Sequence, residues 1–200
     1  MEKLRNKYSL SENMRLAWWL LRTKMIDRKA RLFRFPLDIR GRAYIDFGES
    51  LTTGVGCRLE CFPGVKPGEK KLFFGKNVQI NDYVHIVAMD HIRIGDHVLM
   101  ASHVFISDNS HGSYKGDEHD SPPDVPPTER LYQTAPVVIG DNCWIGEGVF
   151  IMPGVEIGEG CVIGAHSIIC QSIPPRTIAV GTPAKVIKRW NPDKHRWLNV

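Results

Sequence analysis

The chain has 200 residues, 42% of them hydrophobic and 24% charged. At about 150 residues per domain, this length fits one domain with appendages, and the composition excludes intrinsic disorder and collagen. The longest apolar run near the N-terminus spans residues 16–21. It is far shorter than the ~20 residues that cross a bilayer, and it lacks the cleavage site of a signal peptide. We therefore expect a cytoplasmic protein.

Positive charge is concentrated at the N-terminus. Residues 1–42 contain 12 Lys and Arg against 4 Asp and Glu, a net charge of +8, whereas the whole chain carries +4. This distribution predicts a basic arm on a mildly acidic body. Within the arm, residues 12–33 have the apolar spacing of an amphipathic helix that ends near Pro36.

A repeat of six residues runs through the rest of the chain. An isoleucine recurs at every sixth position from 139 to 163, and a smaller residue follows each one by four positions. The same register extends back through residues 94–106 and 74–86 and is recognisable near Phe47. A period of six fits neither a helix nor a simple strand alternation, so it predicts short strands joined by tight turns. Because one repeat cannot bury its own apolar side, the repeats must stack.

Two segments interrupt this register. Residues 63–73 form a short insertion, and residues 112–138 carry five prolines without any six-residue pattern. We expect the second segment to be extruded as a long loop, and long loops in compact domains are usually functional.

The motifs FGKNVQINDYVHI (74–86), FISDNSHGSY (105–114) and VVIGDNCWIG (137–146) resemble the hexapeptide-repeat acyltransferases. They are most similar to the O-acetyltransferases of bacterial lipopolysaccharide and capsular polysaccharide biosynthesis. The resemblance implies an all-β fold, a left-handed parallel β-helix of about five coils over residues 43–190. Residues 191–200 would then be a C-terminal tail. The chain departs from the family at Cys170 and Gln171, where Thr-Lys is usual.

The N-terminal helix has two compatible roles in such a fold. It can cap the open end of the stacked coils, as a solenoid requires. It can also dock on an anionic membrane surface, because Trp18 and Trp19 lie among many arginines.

His111 is the candidate general base. In the repeat register it ends a coil where the long loop departs, so strands would hold it while it faces a cleft under the loop. Attack of a hydroxyl on a thioester needs a base within hydrogen-bond reach, and histidine suits neutral pH. By resemblance, His111 falls on the family's catalytic histidine. Asp108 or Asn109 would orient its ring, or would serve only in a solvated turn.

The resemblance also implies the residues that bind the substrates. Asn81 matches an acceptor-binding asparagine, although it would equally serve as a turn residue. Trp144 would contact both acceptor and coenzyme, and Ala165 would offer its backbone to the pantetheine arm. Lys185 and Lys188 would lie near the coenzyme's phosphates. The alternative for these two lysines is an ordinary solvated strand.

We expect no metal site. Four histidines recur at intervals of six, at positions 85, 91, 97 and 103. Residues six apart lie on successive sides of a triangular coil and point in different directions, so these four cannot converge on one ion.

The register also bears on assembly. Trp144 ends the first hexapeptide of its coil and His111 the third of the preceding one, so we place them at different corners of one prism. They can share a ligand only across a subunit interface. This agrees with the homotrimers that the resemblance implies.

Together these features predict an O-acetyltransferase that uses acetyl-CoA and a saccharide acceptor. One alternative is an enzyme of the same fold that acts on an amino sugar or an antibiotic. Another is a scaffold solenoid without catalysis, which coenzyme binding would exclude. Nucleic acid is not an expected partner, because the body lacks interleaved basic and aromatic strands.

Overall fold

The computed structural model describes residues 8–63 and 68–200. Within them the chain forms the α-helix α1 (Leu10–Ile26), two 3-10 helices (Arg42–Tyr44 and Pro127–Glu129) and 21 short strands. In chain order the strands are β1 (Leu37–Arg40), β2 (Ile45–Asp46), β3 (Thr52–Thr53), β4 (Cys57–Cys61), β5 (Leu72–Phe74), β6 (Gln79–Ile80), β7 (His85–Ala88), β8 (Ile92–Ile94), β9 (Leu99–Met100), β10 (Phe105–Ser107), β11 (Asn109–His111), β12 (Tyr132–Thr134), β13 (Val137–Ile139), β14 (Trp144–Ile145), β15 (Phe150–Ile151), β16 (Glu156–Ile157), β17 (Val162–Ile163), β18 (Ile168–Ile169), β19 (Thr177–Gly181), β20 (Ala184–Asn191) and β21 (Arg196–Asn199).

Successive strands enter three different sheets in turn. Sheet 1 has the order β1-β4-β7-β10-β15-β18, sheet 2 the order β16-β13-β8-β5-β2, and sheet 3 the order β21-β20-β19-β17-β14-β9-β6-β3. Pairing is parallel throughout sheets 1 and 2 and from β3 to β19 in sheet 3. The chain therefore winds through three sides and stacks each pass on the one before, as the six-residue repeat predicts.

The core is built by the repeated isoleucines. Ile145, Ile151 and Ile157 are fully buried. In the parallel ladder Ile151 pairs with Ile106 on one side and with Ile169 on the other. Each inward residue therefore stacks on its equivalents in the neighbouring passes, and this vertical stacking buries what a single repeat would leave exposed.

Tight turns separate the strands, and their backbone conformation explains part of the repeat. At Gly148 φ is +65°, and an added Cβ would lie 2.6 Å from His166 Nδ1. Glycine adopts this left-handed conformation without a steric penalty. The glycine thus permits both the turn and the close approach of the next pass.

The long excursion differs from its predicted form. It begins at Asn109 rather than at residue 112, because β11 and β12 form an antiparallel hairpin at its base. The predicted end at 138 is also wrong, since Val137 and Val138 already pair with β8 in sheet 2. His111 therefore lies on this hairpin and does not end a coil.

The chain ends take a larger part in the sheets than their predicted boundaries allow. Strand β1 pairs in parallel with β4, so the parallel ladder begins inside the segment assigned to the N-terminal arm. At the other end, β21 pairs antiparallel with β20, so residues 196–199 extend sheet 3.

Helix α1 is fixed at both ends. Ser9 and Glu12 form a capping box, in which the Ser9 hydroxyl accepts from the Glu12 backbone N–H and the Glu12 carboxylate accepts from the Ser9 backbone N–H. Near the C-terminal end, the buried Thr23 hydroxyl accepts a hydrogen bond from the Phe33 backbone N–H at 2.7 Å. Phe33 is itself buried against Phe47. No helix among the described residues is long and apolar enough to cross a membrane.

Candidate functional site

The outward face of sheet 3 carries a row of side chains that includes Trp144. In the ladder Trp144 pairs with Leu99 on one side and with Val162 on the other, and Val162 pairs with Ile178. The Trp144 side chain is 54% exposed. Trp144 lies within strand β14, on the flat side of the coil, so its predicted position at a corner is wrong. The turn of this pass precedes it, at Asp141 and Asn142.

A second row on the same face is lined by small residues. Gly146 and Gly164 follow the ends of β14 and β17, and an added Cβ at Gly146 would lie 2.6 Å from the Ala165 backbone nitrogen. At Gly164 the same atom would meet Val180 Cγ1 at 2.6 Å. Gly146 is buried, so the neighbouring pass packs directly on its backbone beside the strand that carries Trp144, and glycine permits this close approach. Ala165 is exposed in the turn that follows Gly164.

Lys185 and Lys188 lie at the next strand of this face. Lys185 pairs with Val180 and Lys188 with Ile178, and the register shifts between these pairs. Residues at 178 and 180 point to the same side of a strand, so their partners do too. The bulge lets two lysines three positions apart share one face. Both therefore continue the two rows that contain Trp144 and Gly146.

Asn81 lies at the corner where strand β6 of the same sheet ends. It follows β6, and its backbone N–H donates to the Met100 carbonyl at 3.0 Å. Its side-chain oxygen accepts from Gln79 Nε2 at 3.2 Å. Asn81 lines a cavity of about 420 Å³ between this corner and helix α1, to which Trp19 and Ser102 also contribute. The turn role and the ligand role predicted for Asn81 are thus both compatible with its position.

His111 is held from both sides of its hairpin. Its ring lies 4.5 Å from that of Tyr132, centroid to centroid, in the paired strand β12. The Tyr114 hydroxyl donates to the His111 backbone carbonyl and accepts from Arg130 at 2.7 Å. The histidine side chain itself remains exposed. These contacts fix the backbone and ring while leaving the ring accessible.

One hydrogen bond defines the tautomer of His111. Its Nδ1 lies 3.2 Å from the Pro127 carbonyl oxygen. A carbonyl can only accept, so Nδ1 carries the proton in this contact. In the neutral ring Nε2 then bears the lone pair, which is the state that a general base requires.

Asp108 does not orient this ring. It is fully buried, and its carboxylate accepts from the backbone N–H groups of Met89, Asp90 and His91 at 2.8 to 3.1 Å. Asn109 donates from its side chain to the same carboxylate at 3.2 Å. Asp108 therefore closes the turn after β7. The Pro127 carbonyl takes the orienting role that was expected of Asp108 or Asn109.

The structure places most of the predicted residues on one sheet, though not all of them in one place. Trp144, Lys185 and Lys188 lie on the outward face of sheet 3, and Ala165 lies in the turn after β17. Asn81 follows β6, and four strands separate β6 from the strand β20 that carries the lysines. His111 belongs to a hairpin that leaves the coil between sheets 1 and 2. Sequence reasoning missed Tyr132 and the Pro127 carbonyl. Tyr132 was missed because the strands β11 (NSH) and β12 (YQT) belong to no repeat. The Pro127 carbonyl was missed because every residue has a main-chain oxygen.

The five cysteines are free thiols, four of them buried and one, Cys170, exposed. Burial raises the pKa of Cys57 to about 11 and that of Cys61 to about 12, so neither is a thiolate at neutral pH. Across residues 8–63 and 68–200, no three His, Cys, Asp or Glu side chains are grouped to hold a metal ion.

A parallel three-sided solenoid, with an exposed histidine on an excursion and a tryptophan beside small residues on one side, defines a hexapeptide-type transferase. Residues 136–171 match the model of the bacterial transferase hexapeptide, six repeats. Over 195 residues the chain is 44% identical to a protein named as a lipopolysaccharide biosynthesis O-acetyl transferase, WbbJ, of Escherichia coli, covering 98% of this chain and 97% of that protein. The chain therefore belongs to the hexapeptide-repeat acyltransferase family.

Two solved structures are similar in fold. A hexapeptide-repeat-containing acetyltransferase from Vibrio cholerae, complexed with acetyl coenzyme A, is 25% identical, with a TM-score of 0.54 and coverage of 92% of this chain and 80% of that one. A variant of AntD, an N-acyltransferase from Bacillus cereus, is 22% identical, with a TM-score of 0.67 and coverage of 84% of each chain.

Proposed function

We propose that this protein transfers the acetyl group of acetyl-CoA to a hydroxyl of a saccharide in the assembly of surface polysaccharide or lipopolysaccharide. The observation that carries the reaction type is the His111 ring, whose Nδ1 contact with the Pro127 carbonyl leaves Nε2 as a base. The near full-length similarity to WbbJ, named as an O-acetyl transferase, supports a hydroxyl acceptor. The similar Vibrio cholerae acetyltransferase, complexed with acetyl coenzyme A, supports the donor.

The donor is assigned to the outward face of sheet 3. We assign the donor groove to the face beside the exposed Trp144, along the row of Gly146 and Gly164, which carry no side chains, as the place for an extended chain such as pantetheine. Ala165 would offer its backbone to that chain. Lys185 and Lys188 are placed to make charge-assisted contacts with phosphates at the end of this groove.

The chemistry is direct transfer. Nε2 of His111 removes the proton from the acceptor hydroxyl as the oxygen attacks the thioester carbonyl carbon. A backbone N–H at the sheet edge stabilises the oxyanion that forms there. The carbon–sulfur bond then breaks, and the imidazolium returns its proton to the departing thiolate. Atoms and charge balance without an acyl-enzyme, so no cysteine is needed as nucleophile.

The assembly belongs to the same proposal. On one chain, His111 lies on a hairpin between sheets 1 and 2, whereas Trp144 lies on sheet 3. We assign the complete site to the interface between two subunits of a homotrimer, with Asn81 contacting the acceptor. A left-handed coil of about five turns, capped at its N-terminal end, and a cytoplasmic location complete the proposal.

Release of free thiol from acetyl-CoA tests the reaction directly. The purified protein is incubated with acetyl-CoA and a panel of saccharides, including lipopolysaccharide precursors and matched amino sugars. We expect thiol release that depends on a saccharide with a free hydroxyl, together with an ester in the product that mild alkali removes. An alkali-stable amide product would assign the reaction to an amine, and no turnover with coenzyme bound would contradict an acetyltransferase.

A further inference from the structure

The outer side of helix α1 is a stripe of large apolar side chains that nothing in the described chain covers. Its members recur at spacings of four and three residues and are each between 55% and 79% exposed. They are Leu10, Met14, Trp18, Leu21 and Met25. We name these five residues the outer stripe. At about 100° per residue they fall within about 80° of the helix circumference, so they form one continuous face.

The opposite side of the helix already has its partner. Leu16, Trp19, Thr23 and Ile26 are buried or half-buried against the body of the protein, and Trp19 contributes to the cavity that includes Asn81. Neighbouring tryptophans thus have different environments, Trp18 outward and Trp19 inward. The outer stripe is therefore not needed to hold the helix in place, and five exposed apolar side chains in one stripe indicate an interaction surface.

The charge around the outer stripe is positive. Residues 8–31 contain six Lys and Arg against two Asp and Glu, a net charge of +4. Both carboxylates are occupied by the backbone: Glu12 accepts from Ser9, and Asp27 accepts from the backbone N–H groups of Lys29 and Ala30. Among the described residues none of these cations forms an ion pair within 4 Å, although Arg15 and Arg22 stack on the rings of Trp19 and Phe35 and Lys24 donates to two backbone carbonyls. The net positive charge therefore remains beside the apolar face.

We propose that α1 lies in the plane of an anionic membrane surface, with the outer stripe inserted at the boundary between headgroups and acyl chains. An apolar stripe with a net positive charge beside it is the pattern of an interfacial helix, and a tryptophan in the stripe suits the headgroup level. A second copy is a poorer occupant, because pairing two such helices would bring cations of the same sign together. Docking would also place the Asn81 cavity, which the inner side of α1 lines, next to the bilayer.

Co-sedimentation with vesicles tests this proposal on the full chain. The vesicles contain phosphatidylglycerol and phosphatidylcholine in equal parts, or phosphatidylcholine alone. We expect binding to the anionic vesicles that weakens as salt is added, because each basic residue near the surface contributes through the surface potential. Equal binding to both kinds of vesicle, or no binding at low salt, would overturn the proposal.

Two variants separate the outer stripe from the rest of the helix. Met14→Gln combined with Trp18→Gln should reduce partitioning onto anionic vesicles at least about tenfold, since it removes two of the five apolar contacts. Leu20→Gln is the matched control, because Leu20 is exposed on the same helix but lies about 120° from the centre of the stripe. It should bind as the unchanged protein does.

The remaining outcomes are also decisive. Unchanged binding of the double variant would overturn the assignment to the outer stripe, and thermal unfolding near the wild-type temperature verifies that the variants are folded. If the double variant instead changes the oligomeric state in sedimentation equilibrium while vesicle binding stays absent, the stripe pairs with a second copy and the membrane proposal is wrong. Thiol release in solution should be the same in all three proteins, so failure here is distinct from failure of the proposed reaction.

Discussion

The outward face of sheet 3 and the β11–β12 hairpin hold their residues in different ways. On sheet 3, Trp144 is fixed by parallel pairing on both sides, with Leu99 and Val162. In the hairpin, His111 is paired with only one neighbouring strand, and its ring is held by the Tyr132 ring and by the Pro127 carbonyl. A regular ladder thus presents a long, rigid surface, to which we assigned the donor, whereas the excursion presents one side chain outside the ladder.

This difference bears on which part of the proposed site would select the acceptor. The residues of the donor face belong to the strands of the coil. Each of them stands next to a residue that is buried in the core, so a change on this face can disturb the packing of the coil. Changing the hairpin or the corner near Asn81 leaves the core intact. We therefore expect the acceptor preference of this protein to lie in its excursion and its N-terminal helix.

The largest expected effect is on the ladder itself. Ile151→Asp would place an unpaired carboxylate between Ile106 and Ile169 in the core, at a cost of several kcal/mol. Thermal unfolding should show a protein that is unfolded or disassembled. Glu147→Lys is the control, since Glu147 is exposed two residues past an inward isoleucine. It should change the unfolding free energy by less than about 0.5 kcal/mol. Equal tolerance of both changes would mean that the inward register is wrong.

The next largest effect is expected in the hairpin. His111→Ala removes the proposed base and should lower kcat by about 10² to 10⁴, with the Kd for acetyl-CoA little changed. Steady-state kinetics and coenzyme titration measure the two quantities separately. His119→Ala removes an exposed histidine of the same excursion and should leave kcat near wild type. If His111→Ala retains near wild-type turnover, His111 has no part in proton transfer.

A smaller effect is expected at the end of the donor face. Lys185→Ala combined with Lys188→Ala should raise the KM for acetyl-CoA about tenfold while kcat changes little, because it removes charge-assisted contacts made in the ground and transition states alike. Lys194→Ala removes an exposed cation from the turn before β21 and serves as the control. An unchanged KM for the double variant would leave the two lysines as ordinary surface residues.

The sequence was sufficient for the parts of the fold that repeat. A strict period of six defines which isoleucines point inward, and Ile151 pairs with Ile169 eighteen positions later as stacking requires. The donor face follows from the same register, because Trp144 directly precedes an inward residue. The error at Trp144 was to place it at a corner, whereas the turns of this pass lie before it, at Asp141 and Asn142, and after it, at Glu147 and Gly148.

The sequence was insufficient where the register stops. Nothing periodic links β11 to β12, so the position of His111 on a hairpin could not be obtained by counting. Asp108 was uncertain for a related reason: a carboxylate next to a histidine suggests a catalytic pair, yet burial and backbone N–H groups from another turn decide its role. The bulge that aligns Lys185 with Lys188 is likewise a property of pairing and not of composition.

The central claim is that the base and the donor face of one site come from different subunits. It can be tested by co-expressing two variants under different affinity tags and purifying the mixed assembly. His111→Ala removes the base. Ala165→Tyr blocks the donor groove with a bulky side chain at an exposed turn, where the fold can accommodate it.

Each variant alone should be nearly inactive. In mixed trimers, a site can combine His111 from the Ala165→Tyr subunit with the open groove of the His111→Ala subunit. The account predicts that the mixed assembly regains thiol release well above that of either parent. Failure to regain activity in a folded mixed assembly, or full activity of the unchanged protein as a monomer in sedimentation, would contradict it.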